Sequence, residues 1–298
     1  MDELAYAPRL DPLELRLINY SDRDQIEDKP YSSKELRECY RQGAERFGWS
    51  KRTRQPRSMN EGSELVGWGM ATGIWEAMQM PASARAVLTA NGSVEIASAT
   101  ADIGPGTYTM MTQLAADMLG VPLDHVTAKL GDSALPDAPV EGGSFTTSSV
   151  GSAIHAACRA VQEELLRLAQ QAGGSPLAGA KLDEITFADG EIRRRDGREM
   201  SLADAMRAAR VERIEKEASA EPNENSKYAH STHSAIFAEV KVDEQLGVIR
   251  VTRVVNAVAA GRILNPKVAG ARFSVPWSAA SAWRYTRRLR PTIGSAGS

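Results

Sequence analysis

Two stretches of the chain place apolar residues at the spacing of an amphipathic helix. The first covers about 107–119 and the second about 150–171. Apolar positions three and four residues apart form one face of a helix, so both stretches are predicted to pack against a core. Each stretch follows a segment that contains two glycines, 104–106 and 142–143. The pattern therefore predicts two helices that each begin soon after a tight loop.

Alternating apolar and polar residues predict strands over much of the remaining chain. Glu64–Met78 is expected to be one strand, and Ser83–Thr100 two strands joined across Asn91-Gly92, a dipeptide typical of tight hairpins. Further strands are expected near Val126–Leu130, on both sides of Asp189-Gly190, on a solvated face at Glu212–Glu217, and over Ala235–Val242 and Val248–Val258. Helices combined with largely antiparallel sheets indicate the α+β class.

Shorter helices are predicted from capping residues. Asp11-Pro12 is expected to start one helix, and Ser32-Ser33 to cap a second, which places Leu36, Cys39 and Phe47 near one face. Ser201 is expected to cap a short helix that reaches Arg210. Lys51–Asn60 has no periodicity and is interpreted as a polar link.

The two glycine loops are the strongest candidates for a binding site. The start of a helix has unpaired N–H groups and a partial positive charge, and glycine lets a ligand approach the backbone closely. Two such loops in succession suggest a large phosphorylated cofactor held between two helix starts. The alternative is that the hydroxyl residues are ordinary helix caps. The candidate cofactor-binding residues are Gly104, Gly106, Thr107, Thr109, Gly142, Gly143, Ser144 and Thr146.

Both loops resemble those of the molybdopterin-binding large subunit of the xanthine dehydrogenase / aldehyde oxidase family, the molybdenum hydroxylases. Asp102–Thr109 is similar to the family's D-I-G-x-G-T-Y-T loop, and Pro139–Ala153 to its P-V-x-G-G-S-x-T-T-x-S-V-G-S-A loop. The resemblance continues in MDELA and DPLELR near the start, in FAEVKVD over 237–243 and in GRILNP over 261–266. It extends from Met1 to about Arg272.

The resemblance implies a partial molybdenum-cofactor-binding domain and an enzyme that hydroxylates aldehydes or N-heterocycles. The implied cofactor is molybdenum-molybdopterin, in its cytosine dinucleotide form, with iron–sulfur clusters and FAD carried on partner subunits. The pterin dithiolene binds the metal in this family, so no side chain need coordinate it. Gly143 aligns with the small residue nearest the molybdenum, and a cytoplasmic location is expected.

The family's catalytic glutamate lies in a G-V-G-E motif that has no counterpart here, so no catalytic residue is assigned. We expect an internal fragment, inactive by itself and binding little cofactor. Residues 1–50 are interpreted as a helical remainder of a first molybdopterin-binding subdomain, and 51–272 as an incomplete second one. Residues 273–298 are expected to be a disordered, frameshifted tail, because a shifted reading frame can recover LGAVVGGIGMALHEETAADHRFGRV, the family's continuation. A non-catalytic cofactor-binding or assembly fragment, or a pseudogene product, is the alternative.

Composition and single residues exclude other classes. A net charge of −2 with 42% hydrophobic and 25% charged residues is typical of a globular chain and favours neither nucleic acid nor a membrane surface as partner. Two cysteines are too few for a disulfide framework or an iron–sulfur site. His233 is interpreted as a structural hydrogen-bonding residue, and Trp49, Trp68 and Trp75 as core. A serine hydrolase based on Ser144 or Ser148 lacks an evident triad.

Overall fold

The computed structural model describes residues 1–222, 226–263, 266–271 and 293–295. Its named helices are α1 (Asp2–Tyr6), α2 (Pro12–Ile18), α3 (Leu36–Phe47), α4 (Thr107–Leu119), α5 (Thr146–Gln171) and α6 (Leu202–Ala208). Its strands are β1 (Arg23–Asp24), β2 (Lys29–Pro30), β3 (Asn60–Glu61), β4 (Glu64–Glu76), β5 (Ala82–Thr89), β6 (Val94–Ala97), β7 (Val126–Lys129), β8 (Ile185–Ala188), β9 (Glu191–Arg194), β10 (Glu199–Ser201), β11 (Arg213–Ala220), β12 (Ser231–Asp243), β13 (Val248–Ala259) and β14 (Ile293–Ser295). The predicted α+β class is confirmed.

Backbone contacts divide the chain into two compact units. Unit 1 combines Met1–Ala77 with Asn225–Ser298, and unit 2 is Met78–Glu224. The boundaries predicted at residues 50 and 272 stay predictions. Of the predicted tail, only Ile293–Ser295 is described, as a strand parallel to β13, and the rest lies outside the described residues.

Unit 1 is built on a sheet with the strand order β14-β13-β12-β4-β3. Alternate side chains of a strand point to the same face, so Ala235 and Phe237 of β12 both face α3 and are fully buried. A Cβ on Gly43 of α3 would lie 2.6 Å from the Phe237 ring, so the helix approaches the sheet very closely. The predicted face of Leu36, Cys39 and Phe47 forms the core of this unit.

Of the two helix caps predicted in unit 1, one is found in the structure. Asp11 caps α2 as predicted, and its carboxylate accepts a hydrogen bond of 2.8 Å from the Leu13 amide. The prediction that Ser32-Ser33 caps α3 is wrong, because the helix begins at Leu36 and its cap position is Glu35, which makes no side-chain cap bond.

The tryptophans of unit 1 differ in burial. Trp49 is buried against Phe47 and Phe237, as expected. Trp68 is half-buried, and its indole N–H donates to the Glu239 carboxylate at 2.8 Å. The core interpretation of Trp75 is wrong: the residue lies near the end of β4 and is 55% exposed.

Unit 2 contains a sheet with the strand order β11-β5-β6-β7, against which α4 and α5 pack. β6 and β7 are parallel, whereas the other neighbouring strands are antiparallel. α5 is the central helix, because Ile154, Val161 and Leu165 along one face are fully buried. A smaller sheet, β10-β9-β8, and α6 complete the unit, and Ser201 caps α6 as predicted.

Most of the predicted elements of unit 2 are confirmed. Hairpins form at Asn91-Gly92 and Asp189-Gly190, and β11 alternates exposed and more buried positions. α4 matches its predicted bounds. α5 begins at Thr146 rather than near 150, so the hydroxyl-rich residues expected in the loop form the first turn of the helix.

Candidate functional site

The two glycine loops lie at one edge of the sheet in unit 2. β6 and β7 pair in parallel from Val94↔Val126 to Ala97↔Lys129, so their carboxyl ends meet at the same edge. The chain then continues from β6 to α4 and from β7 to α5. The Gly131 amide donates to the Thr100 carbonyl at 2.8 Å, which joins the two connections. In open parallel sheets, ligands bind outside the carboxyl ends of the strands, and β6 and β7 form a parallel pair in a sheet that is otherwise antiparallel.

The helices that follow these loops run side by side in the same direction. Near the start of α5, a Cβ on Gly151 would lie 3.8 Å from Met110 Sδ, close to the start of α4. Farther along α5, the Gln162 side chain donates to the Met118 carbonyl near the end of α4 at 2.5 Å. An early residue of α5 thus contacts an early residue of α4, and a later residue contacts a later one. The helices are therefore parallel, and the N-termini of α4 and α5 lie at the same end of the pair.

The first loop is organised around Asp102, a residue absent from the predicted site. Its Oδ1 accepts from the Gly104 amide at 2.9 Å and the Gly106 amide at 3.3 Å, and its Oδ2 accepts from the Tyr108 amide at 3.3 Å. The Gly104 bond, followed by those from Tyr108, Gly106 and Thr107, holds the pKa of the Asp102 carboxyl below its ordinary value. The N–H groups predicted to receive a cofactor at this helix start therefore already have an intramolecular acceptor.

The other predicted residues of the first loop differ in accessibility. A Cβ on Gly104 or Gly106 would meet nothing within 4 Å, so space is open beside both glycines. Thr109 is exposed, whereas Thr107 is only 3% exposed and its hydroxyl is not presented to solvent in this conformation.

The second loop leaves its helix start without a side-chain cap. Phe145 occupies the cap position of α5 and makes no side-chain cap bond. Gly143 and Ser144 adopt left-handed φ values of 61° and 63°, and Gly142 borders open space. The Thr146 hydroxyl donates to the Glu141 carboxylate at 2.7 Å. The hydrogen bonds thus differ at the two helix starts: Asp102 accepts from backbone amides at α4, whereas Glu141 accepts from a side-chain hydroxyl at α5.

The serines after this loop have structural contacts. The Ser148 hydroxyl donates to the Met78 carbonyl at 2.7 Å and contacts the Phe145 carbonyl at 2.9 Å. Ser149 is fully buried and accepts from the Met80 amide at 2.9 Å. These bonds tie α5 to the segment before β5, and they leave the serine hydrolase hypothesis without support at Ser148.

His233 lies in unit 1 and lacks, in the described part of the chain, the hydrogen bonds that were predicted for it. Its side chain is 2% exposed in contact with the Tyr31 ring, and neither ring nitrogen has a hydrogen-bond partner among the described residues. Burial, together with the positive charge of Lys34, lowers its pKa to about 4. Within the described residues, the predicted hydrogen-bonding role of His233 is therefore wrong.

Neither a side-chain metal site nor a membrane-spanning helix occurs among the described residues. Within them, no three His, Cys, Asp or Glu side chains lie close enough together to hold a metal ion. Over the same residues, no helix combines the length and the hydrophobicity needed to cross a bilayer.

Comparison with known proteins identifies the family. The family profile described as "Molybdopterin cofactor-binding domain" matches residues 42–272. The chain is 37% identical over 271 residues to the aldehyde oxidoreductase molybdenum-binding subunit PaoC of Escherichia coli K12, a match that covers 90% of this chain and 35% of PaoC. It is 25% identical over 283 residues to a xanthine dehydrogenase molybdenum-binding subunit of Escherichia coli O157:H7, covering 90% of this chain and 37% of that protein.

Solved structures agree on the fold. Quinoline 2-oxidoreductase from Pseudomonas putida 86 superposes with a TM-score of 0.77 at 18% identity, over 98% of this chain and 43% of that chain. A carbon monoxide dehydrogenase from Oligotropha carboxidovorans gives 0.76 at 18% identity, over 96% of this chain and 39% of that chain. The chain belongs to the molybdopterin-binding subunits of the xanthine dehydrogenase / aldehyde oxidase family, and it spans about a third of the length of the curated relatives it matches.

Proposed function

We propose that this chain forms part of the cofactor cage of a molybdenum hydroxylase subunit, with the cofactor held between the starts of α4 and α5. The observation that carries the proposal is that the two connections containing the glycine loops leave the sheet at the carboxyl ends of the parallel strands β6 and β7. Both loops precede helices whose N-termini lie at the same end of the pair.

The two loops have different roles in this proposal. The start of α5 provides backbone N–H groups and the helix dipole for the pyrophosphate, and its cap residue Phe145 makes no side-chain cap bond. Gly104 and Gly106 provide open backbone surface, and Thr109 an exposed hydroxyl. Gly142 gives the ligand access to the backbone beside α5, and Gly143 and Ser144 give the loop its left-handed turn.

The chemistry is divided between the cofactor and the protein. When bound, the molybdenum centre supplies the hydroxylation of aldehydes or N-heterocycles, and the residues of this chain bind and orient it. The sequence contains no Gly-Val-Gly-Glu segment to provide the family's general base, so we expect no turnover from this chain alone.

The finer assignments follow the family resemblance. We infer the cytosine dinucleotide form of the cofactor and partner subunits that carry iron–sulfur clusters and FAD. The names of the relatives as molybdenum-binding subunits support a multi-subunit assembly. A cytoplasmic location stays a prediction.

Cytidine 5′-diphosphate is a suitable probe, because it carries the pyrophosphate and the cytosine of the inferred cofactor. We expect millimolar cytidine diphosphate to slow hydrogen–deuterium exchange in peptides covering 142–148. The Gly142→Asp variant should lose this protection, because a carboxylate in the open space repels the pyrophosphate.

Gly173→Asp is the matched control, since Gly173 also borders open space without a left-handed φ, and it should keep the protection. An exchange pattern that cytidine diphosphate leaves unchanged, or an equal loss in both variants, would remove the basis for this site. In that case, of the alternatives, an assembly fragment or a pseudogene product would be favoured.

A further inference from the structure

Asp102 makes an unusual set of contacts for an acidic residue in a loop. One carboxylate accepts from three separate backbone amides, those of Gly104, Gly106 and Tyr108, over distances of 2.9 to 3.3 Å. For these amides to converge, the chain must curl back on itself. Gly104 and Gly106 allow this with φ values of 108° and 90°, which side-chain-bearing residues rarely adopt.

We propose that Asp102 is a positioning residue that holds the 104–108 backbone in the shape that faces the cofactor, so that the loop is formed before the cofactor arrives. The ligand in this inference rests on the proposed function. A hydrogen bond to a charged acceptor is stronger than one between neutral groups, so three such bonds are sufficient to fix a short glycine loop. Asp102 acts through the backbone and need not touch the cofactor.

The charge of Asp102 provides a way to separate positioning from simple electrostatics. A carboxylate beside an anionic ligand repels it, so removing the charge alone should strengthen binding. Removing the hydrogen-bond acceptor should loosen the loop and weaken binding. The two effects therefore have opposite signs, and Asp102→Asn and Asp102→Ala distinguish them.

Hydrogen–deuterium exchange of the 298-residue chain without any ligand tests the loop directly. In Asp102→Ala, we expect peptides covering 103–108 to exchange at least about tenfold faster, because the Gly104, Gly106 and Tyr108 amides each lose a charge-assisted bond. In Asp102→Asn, one oxygen remains for the Gly104 and Gly106 amides, so their protection should largely return, whereas the Tyr108 amide, which uses the other oxygen, should stay fast.

Asp243→Ala is the matched control, because Asp243 accepts from the Gln245 and Leu246 amides at 3.0 Å in a turn of unit 1. It should speed exchange around 244–247 and leave 103–108 unchanged. Unchanged exchange at 103–108 in Asp102→Ala overturns the inference, whether or not the chain binds a nucleotide.

The affinity for cytidine diphosphate tests the consequence of the loop's shape. We expect Asp102→Ala to bind more weakly than the wild type, and Asp102→Asn to bind as well or better. Both variants remove the charge and only Asp102→Asn keeps an acceptor, so binding by Asp102→Ala as strong as that of Asp102→Asn would show that Asp102 acts as a charge alone and would contradict a positioning role. A wild-type chain that binds no cytidine diphosphate would refute the proposed function, and the exchange experiment would still decide whether Asp102 builds the loop.

Discussion

Replacing Gly143 by alanine should damage the second glycine loop, whereas the same change at Gly142 should be tolerated. Gly143 has a left-handed φ of 61°, and an added Cβ would lie 2.5 Å from Cε1 of the Phe145 ring and 3.1 Å from Cε of Met78. An added Cβ on Gly142 meets nothing within 4 Å, and its φ is not left-handed. The two positions therefore differ in both strain and space.

The cost at Gly143 can be worked out from these distances. Carbon atoms in contact prefer about 3.5–4.0 Å, so the Phe145 ring must move by roughly 1 Å. That ring is only 7% exposed, and overpacking of this kind costs about 1–3 kcal/mol. The left-handed conformation adds about 1–2 kcal/mol for alanine. Together they lower the population of the native loop by a factor of about 30 or more.

Two measurements check this prediction. Urea unfolding followed by circular dichroism at 222 nm reports on the helices, including the 26-residue α5, and exchange of peptides over 140–148 reports on the loop. Gly143→Ala should unfold at lower urea or exchange faster in this loop, and Gly142→Ala should match the wild type in both. Equal behaviour of the two variants would show that the loop relaxes around the new methyl group, and the steric reasoning would be refuted.

Three further changes have definite expected outcomes. Gly120→Ala should destabilise unit 2 by more than about 3 kcal/mol in urea unfolding, because Gly120 has a left-handed φ and the added Cβ would collide with the backbone of β8. Gly179 has a similar φ but borders open space, so Gly179→Ala should cost only about 1–2 kcal/mol in the same assay. The folded-state pKa of His233 lies below that of a free histidine, so stability should fall as the pH drops from about 6.5 to 4, and His233→Leu should abolish that part of the slope. Burial raises the pKa of Cys158 to about 12, so this thiol should resist iodoacetamide at pH 8 until the protein is unfolded.

Elements with strong local signals could be predicted from the sequence. The Asn91-Gly92 and Asp189-Gly190 turns contain residues that accept left-handed conformations, so the hairpins around them follow from chain-local chemistry. α4 could be predicted because the apolar residues Met110, Met111, Leu114, Ala115 and Met118 keep a helical period. The structure buries Met111 and Ala115 of this set. These features depend on residues within a few positions of one another.

Features that depend on distant residues could not be predicted. β4 pairs with β12 across more than 150 residues, and β11 returns to pair with β5, so the division into two units arises from pairings that no local pattern encodes. The early start of α5 was missed because Thr146–Ser149 have modest helix propensity and were interpreted as a loop. Their hydroxyls bond instead to the segment before β5 and to Glu141.

The two helix starts show why a glycine loop before a helix does not by itself define an anion site. In sequence both loops have the same features, yet α4 is capped by Asp102 and α5 has no side-chain cap. A helix start contributes about half a unit of positive charge, less than the full negative charge of a carboxylate. Asp102 lies at the start of α4 and Glu141 beside the start of α5, so neither loop attracts a phosphate through net charge alone. Binding at the first loop depends on the open glycine backbone, and the backbone amides at the start of α5 are the donors offered to the pyrophosphate. The acceptor that occupies a helix start, rather than the glycines that precede it, therefore decides which of the two loops can bind the anionic part of the cofactor.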